Sequence, residues 1–150
     1  MMDLDTTVQV GTLLSIIVGI IAFFWGVKSY NQQMNTQVFL TYTQRIEQIM
    51  DSFPKDAWDF RLDLEQLPKP SLELSTSVLK YLNLCSEEYY LWQKKLLASD
   101  LWNIWEGELN RTLRSPLFVR EWKSLAKEFE FYPEFRQYVE NIQNQAGQVV

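Results

Sequence analysis

The sequence contains no histidine and only one cysteine, Cys85, among its 150 residues. Without histidine, the Ser-His-Asp and Cys-His arrangements of nucleophilic catalysis are excluded, because both need an imidazole base. A single cysteine cannot form an intramolecular disulfide, and without histidine it cannot complete a typical zinc site. These absences favour a reducing compartment and predict no metal site.

Basic residues are also scarce, since 14 Lys and Arg stand against 19 Asp and Glu. Nucleic-acid binding depends on a basic surface that neutralises phosphates, so we expect no nucleic-acid partner. The chain has no GxGxxG motif and no phosphate-binding loop, and it contains no internal repeat. We therefore predict no cofactor, no small-molecule substrate and no catalytic residue.

Charged residues are absent from Thr6 to Val27, a stretch long enough to cross the hydrocarbon core of a bilayer as one helix. A cleaved signal peptide would have basic residues before the apolar run and small residues after it. Here Asp3 and Asp5 come before the run, and aromatic residues ending in Trp25 close it. The pattern predicts an uncleaved, single-pass membrane anchor.

The orientation of the anchor follows from the basic residues beside it. The N-terminal head has no Lys or Arg, whereas Lys28 and then Arg45 follow the span. Basic residues are enriched on the cytoplasmic side of membrane proteins. We therefore expect a plasma (inner) membrane protein with its N-terminus outside and its C-terminal domain in the cytoplasm.

Small residues recur within the span at intervals of four, four, three and four, and so fall on one face of a helix. Such a face lets two helix backbones approach closely in lipid. The stripe predicts self-association or a partner helix, although Gly and Ala are also common in membrane helices in general. Its members are Gly11, Ser15, Gly19, Ala22 and Gly26.

The rest of the chain predicts an all-α domain of about four to five helices. We expect a membrane anchor over residues 1–28, a helical stalk over 29–53, a proline-rich connection over 54–71, a helical domain over 72–144 and a frayed tail over 145–150. A short helix is expected around Trp58 to Leu64. Apolar residues at spacings of three and four predict that the stalk helix continues from the anchor as far as Pro54.

Within the domain, the pattern predicts a central helix from about Ser75 to Leu97 that is covered on more than one side. Ser99 or Asp100 is expected to cap the next helix, and Ser115 followed by proline to open a third. A last helix begins near a second proline. The predicted inward residues of the four helices are Leu82, Cys85, Tyr89, Trp92, Leu96, Trp102, Trp105, Leu109, Leu113, Phe118, Trp122, Leu125, Phe129, Phe135, Tyr138, Val139 and Ile142.

Three aromatic-rich segments of this domain resemble small, uncharacterised bacterial proteins that join one N-terminal membrane helix to a helical domain. The segments are LCSEEYYLW from Leu84 to Trp92, the WxxWExE run from Trp102, and SPLFxxxW from Ser115. The resemblance covers about residues 81–138 and implies an architecture but no activity. This chain lacks the glycine that the group usually has between Trp92 and Trp102.

Glu88 is the carboxylate with the strongest reason to titrate abnormally. On the central helix it lies on the same side as apolar residues, including Tyr81, whereas Glu87 points toward solvent. A carboxylate against apolar rings can have its pKa raised and can then act as an acid or base. A buried Glu88 hydrogen-bonded to a tryptophan or a loop amide is the alternative, and we predict that role.

A basic segment follows in the otherwise acidic domain. It could contact anionic headgroups or an acidic partner, or it could be a solvated helix face. Its members are Arg111, Arg114, Arg120, Lys123 and Lys127, with Glu121 the one acid among them.

The sequence therefore predicts a membrane-anchored binding or scaffold protein, an accessory subunit of a membrane complex. The alternative is a membrane-tethered effector or signalling component, for instance in stress response or phage defence. An enzyme that uses Glu88 is a third and more remote hypothesis.

Overall fold

The computed structural model describes residues 4–59 and 67–146, with side chains from residue 8 onward except those of residues 56, 58 and 146. All secondary structure in these ranges is helical, which confirms the predicted fold class. The chain forms two compact units, residues 1–38 and residues 39–150, and the boundary between them falls inside the predicted stalk.

The first unit consists of helix α1, which begins at Leu4 and continues into the second unit, where it ends at Asp51. The prediction that the helix runs from the apolar segment almost to Pro54 is confirmed. One stretch of α1 is apolar enough to cross a membrane, with a mean hydropathy of 2.3, and none of that stretch is buried. Its length and composition make this stretch a candidate membrane span.

The second unit contains the end of α1 and the helices that follow it. They are α2 (Lys55–Asp59), α3 (Leu72–Gln93), α4 (Ser99–Leu113), α5 (Pro116–Leu125), a 3-10 turn (Ala126–Phe129) and α6 (Pro133–Ala146). The predicted helix around Trp58 to Leu64 falls largely outside the described residues. The last four residues of the predicted tail also lie outside them.

Helix α3 is the centre of this unit, because α4, α5 and α6 all pack against it. Its buried residues include Leu74, Val78, Leu82 and Leu84, each at most 1% exposed. Burying one such side chain contributes about 1.5–3 kcal/mol to the free energy of unfolding. A helix with so wide an apolar surface needs neighbours on several sides, as the sequence pattern predicted.

The aromatic residues form a shared cluster between α3, α4 and α6. The ring centroid of Tyr89 lies 4.5 Å from that of Tyr138 and 6.2 Å from that of Trp102. Trp92 stacks on Trp102 at 4.8 Å while remaining 37% exposed. Trp92 thus packs on the core while keeping one edge in solvent, whereas Trp102 and Trp105 of α4 are buried.

The turn after α3 has the geometry that usually requires glycine. Lys95 adopts φ 56°, in the left-handed region. Its N–H donates to the Trp92 carbonyl, and the Leu96 N–H donates to the Leu91 carbonyl, both at 2.9 Å. These two bonds define a Schellman motif with lysine in the glycine position. The motif ends α3 at Gln93, so the predicted inward residue Leu96 is instead 54% exposed.

Two further helix ends correct or confirm the sequence prediction. Ala98 occupies the N-cap position of α4, so neither Ser99 nor Asp100 caps the helix, although the Asp100 carboxylate accepts from the Leu101 N–H. The predicted start of α5 is confirmed, with Ser115 at the N-cap and Pro116 in the first turn. Proline is suited to that position because its missing N–H would have had no helical partner.

Candidate functional site

The small-residue stripe of the first unit is exposed along its whole length. A Cβ atom added at Gly11, Gly19 or Gly26 would meet no atom within 4 Å. The Ser15 hydroxyl donates to the Gly11 carbonyl at 2.9 Å, so its polar group is satisfied within the helix. Ser15 and Ala22 are likewise exposed. The stripe therefore offers a smooth surface that another backbone can approach closely, with no polar group that needs a partner.

The five residues of the predicted basic segment do not share one environment. Arg111, Arg114, Lys123 and Lys127 are exposed, at the end of α4, in the last turn of α5 and in the 3-10 turn. Arg111 lies 4.0 Å from Glu108, and Arg114 donates to the Gln145 side chain at 3.2 Å. These contacts are at the surface, where such pairs contribute about 0–1 kcal/mol. The four cations therefore remain able to meet a partner.

Arg120 is the exception, because its guanidinium is bonded inside the domain. It donates twice to Glu121 Oε1, at 2.9 and 2.8 Å, and once to the Pro68 carbonyl at 2.6 Å. Glu121 is 4% exposed, and its other oxygen accepts from the Ser75 hydroxyl at 2.6 Å. The network links α3, α5 and the chain before α3. Arg120 acts here as the counter-ion of a buried carboxylate, which sequence spacing could not reveal.

Glu88 is buried in the second unit, with 3% of its surface exposed. Burial raises its pKa from 4.5 to about 8; nearby Arg45 lowers it and Glu87 raises it. Atom Oε1 has no hydrogen-bond partner among the described residues. Glu88 is buried on the side of the helix that the register predicted, but the predicted hydrogen bond to a tryptophan or a loop amide is wrong for this oxygen.

The cavity beside Glu88 is small. Its volume is about 30 Å³, and Cys85, Tyr81 and Glu108 line it together with apolar side chains. Burial also raises the pKa of the Cys85 thiol well above its usual value, so the thiol is protonated and unreactive at neutral pH. A space of this size holds about one water molecule, whereas small-molecule sites have volumes of about 300–1,000 Å³. The cavity beside Glu88 therefore has room for a water molecule but not for a small-molecule ligand.

Glu87 faces the surface, as the helical register predicted. It forms a two-bond ion pair with Arg45, in which Nη2 donates to Oε1 at 2.9 Å. The hydrogen bond from Arg45 holds the pKa of this carboxyl below its usual value. Two adjacent glutamates thus have opposite pKa shifts, because one is paired at the surface and the other is desolvated.

A shallow groove lies next to this ion pair and was not predicted. It has a volume of about 390 Å³ and is lined by Tyr42, Tyr90, Tyr132, Leu91, Ser86 and Glu87. Arg45 stacks over the Tyr42 ring at 5.3 Å, and the Lys94 ammonium lies 5.7 Å from the Tyr90 ring centroid. The lining comes from three separate segments, so no local sequence signal could have indicated the groove. Tyrosine-rich surfaces of this kind are typical of protein interfaces.

Metal-binding clusters are not found among the residues that the structure describes, where no three His, Cys, Asp or Glu side chains are placed to hold an ion. The chain matches no family model, no curated protein and no solved structure. The resemblance to small bacterial membrane proteins thus remains a prediction from the three aromatic-rich segments.

Proposed function

We propose that the protein is a single-pass protein of the plasma (inner) membrane whose helical domain binds other proteins. Its N-terminus lies outside and its C-terminal domain lies in the cytoplasm. In this role it is an accessory subunit or scaffold of a membrane complex. The domain also has an open groove whose tyrosine-rich lining suits contact with another protein.

The observation that carries the proposal is the exposed small-residue stripe. A membrane helix that only anchors a domain needs apolar side chains but no particular pattern among them. Here Gly11, Gly19 and Gly26 align on one face with open space above each. Lipid does not drive helices together by the hydrophobic effect, so close backbone packing along such a face is the main source of affinity.

A substitution on the stripe tests this proposal. Gly19→Ile places a branched side chain at the centre of the stripe and should abolish crosslinking of the helix to its partner in membranes. Phe24→Ile is the matched control, because it puts the same residue about 180° around the helix from the centre of the stripe. Crosslinking that survives Gly19→Ile unchanged would remove the stripe as the contact surface.

The partner itself is identified by gentle detergent extraction of the natively expressed, tagged chain. Sizing and mass spectrometry of the extract should give a discrete complex with stoichiometric partners. The double variant Lys123→Glu and Lys127→Glu, tested in the same extraction, reports whether the exposed basic residues contribute to the contact. A chain that elutes alone or as a homodimer would contradict the accessory-subunit role.

The second candidate function is a membrane-tethered effector or signalling component that meets a soluble partner only when triggered. The tyrosine-lined groove favours it, since Tyr90 is 47% exposed there. The two functions differ in how much of the protein is bound to its partner in resting cells. An accessory subunit co-purifies at steady state, whereas an effector is found alone in resting cells and gains a partner and a phenotype under stress.

A further inference from the structure

Four residues just beyond the apolar run share one face of α1. Trp25, Lys28, Ser29 and Gln32 stand at intervals of three, one and three, and they line an open recess of about 280 Å³ in the first unit. At 100° per residue their side chains fall within an arc of about 100°. All four are exposed.

The ammonium group of Lys28 has no counter-ion among the described residues of this unit. Lys28 is the only charged residue between positions 6 and 44. The nearest acidic residue that precedes it, Asp5, is about 35 Å away along a helix that rises 1.5 Å per residue. No ion pair to Lys28 forms among the described residues. Its partner must therefore come from outside the unit or from solvent.

The hydroxyl of Ser29 makes no hydrogen bond among the described residues, unlike three other hydroxyls of the first unit. Thr12, Ser15 and Thr36 each donate to the carbonyl four residues earlier, at 2.9 Å. Ser29 makes no such bond among the residues that the structure describes. A serine hydroxyl that is not bonded back to its own helix remains available as a donor to an outside group.

We propose that Lys28, Ser29 and Gln32 bind the phosphate group of an anionic phospholipid, with Trp25 in the interfacial layer beside it. The ammonium supplies the charge, and the hydroxyl and the amide supply hydrogen-bond donors. Trp and Lys are the residues that prefer the membrane–water interface. An anionic phospholipid fits better than a zwitterionic one, since the latter carries its own cation next to the phosphate.

This site lies beside the small-residue stripe and does not overlap it. The mean direction of the four residues is about 90° around the helix from that of the stripe. A partner helix on the stripe would therefore leave the phosphate site open to lipid. The inference rests on the proposed function, because it requires α1 to span a bilayer.

The test uses the full chain in vesicles of phosphatidylcholine with and without phosphatidylglycerol, with lipid retention read by native mass spectrometry after mild detergent release. We expect selective retention of phosphatidylglycerol. Lys28→Gln should reduce it about five-fold, as expected for one charge near an anionic surface. Lys28→Arg should preserve it, and Ser29→Ala should weaken it.

The controls are Thr12→Ala, whose hydroxyl is already bonded within the helix, and Lys80→Gln, an exposed lysine of the second unit. Both should retain phosphatidylglycerol as the unmodified chain does. The site would be overturned by any of three results. These are equal retention of the two lipids, undiminished retention of phosphatidylglycerol by Lys28→Gln, or retention of added inorganic phosphate in place of lipid. Carbonate extraction of the same vesicles separates the two claims: a chain that resists extraction but shows no lipid selectivity refutes only the site, whereas a chain that is extracted refutes the membrane span and the site with it.

Discussion

Replacing Glu88 by Gln should make the second unit more stable at neutral pH. The buried carboxyl has a pKa of about 8 in the folded chain against 4.5 for an exposed glutamate. Between these values the unfolded chain releases the proton while the folded chain keeps it. Because the folded state then binds more protons, the contribution of Glu88 to stability is greatest below about pH 4.5 and declines as the pH rises toward 8.

The magnitude follows from the gap between the two pKa values. Each pH unit in this interval lowers the free energy of unfolding by about 1.4 kcal/mol, which amounts to roughly 3 kcal/mol between pH 4.5 and pH 7. Glutamine has nearly the shape of a protonated Glu88 and cannot ionise. The variant and the unmodified chain should therefore be about equally stable at low pH and diverge as the pH rises.

The assay is denaturant unfolding of the full chain in micelles, followed by tryptophan fluorescence at several pH values. Glu87→Gln is the control, because this carboxyl is exposed and its pKa is lowered by Arg45. The lowered pKa of Glu87 produces the opposite pH dependence: its contribution to stability is present above the unfolded pKa and is lost on acidification. Parallel pH profiles for the unmodified chain and Glu88→Gln, or a variant less stable at pH 7, would refute the argument.

Two further substitutions test the turn and the buried network of the second unit. Lys95→Gly should raise the free energy of unfolding by about 0.5–1 kcal/mol, because glycine adopts positive φ without strain; Lys94→Gly, at φ −79°, should not stabilise the same turn. Arg120→Gln should lower the free energy of unfolding by about 3 kcal/mol, since the substitution leaves the Glu121 carboxylate buried without its counter-ion. Lys123→Gln at the surface should change the free energy of unfolding by less than about 0.5 kcal/mol. Thermal or denaturant unfolding measures both effects. A Lys94→Gly variant as stable as Lys95→Gly would contradict the argument from backbone strain. An Arg120→Gln variant as stable as Lys123→Gln would contradict the argument from the buried ion pair.

The sequence by itself determined the all-α fold class and which helix faces are buried. Apolar residues at spacings of three and four must share a face, and that face must be covered if the chain is to fold. Trp102, Leu109, Phe118 and Phe135 are all buried as this periodicity predicted. The length of α1 was equally predictable, since no glycine or proline interrupts residues 27–53.

The tertiary structure decided which polar groups meet and where the helix ends fall. Arg120 lies next to Glu121 in sequence, yet its role depends on Ser75 and on the Pro68 carbonyl, both from another part of the chain. The left-handed turn at Lys95 could not be read from the residue type, because lysine has no preference for it. Local periodicity reports what a helix must bury, whereas the partners of each buried or charged group depend on contacts between residues distant in sequence.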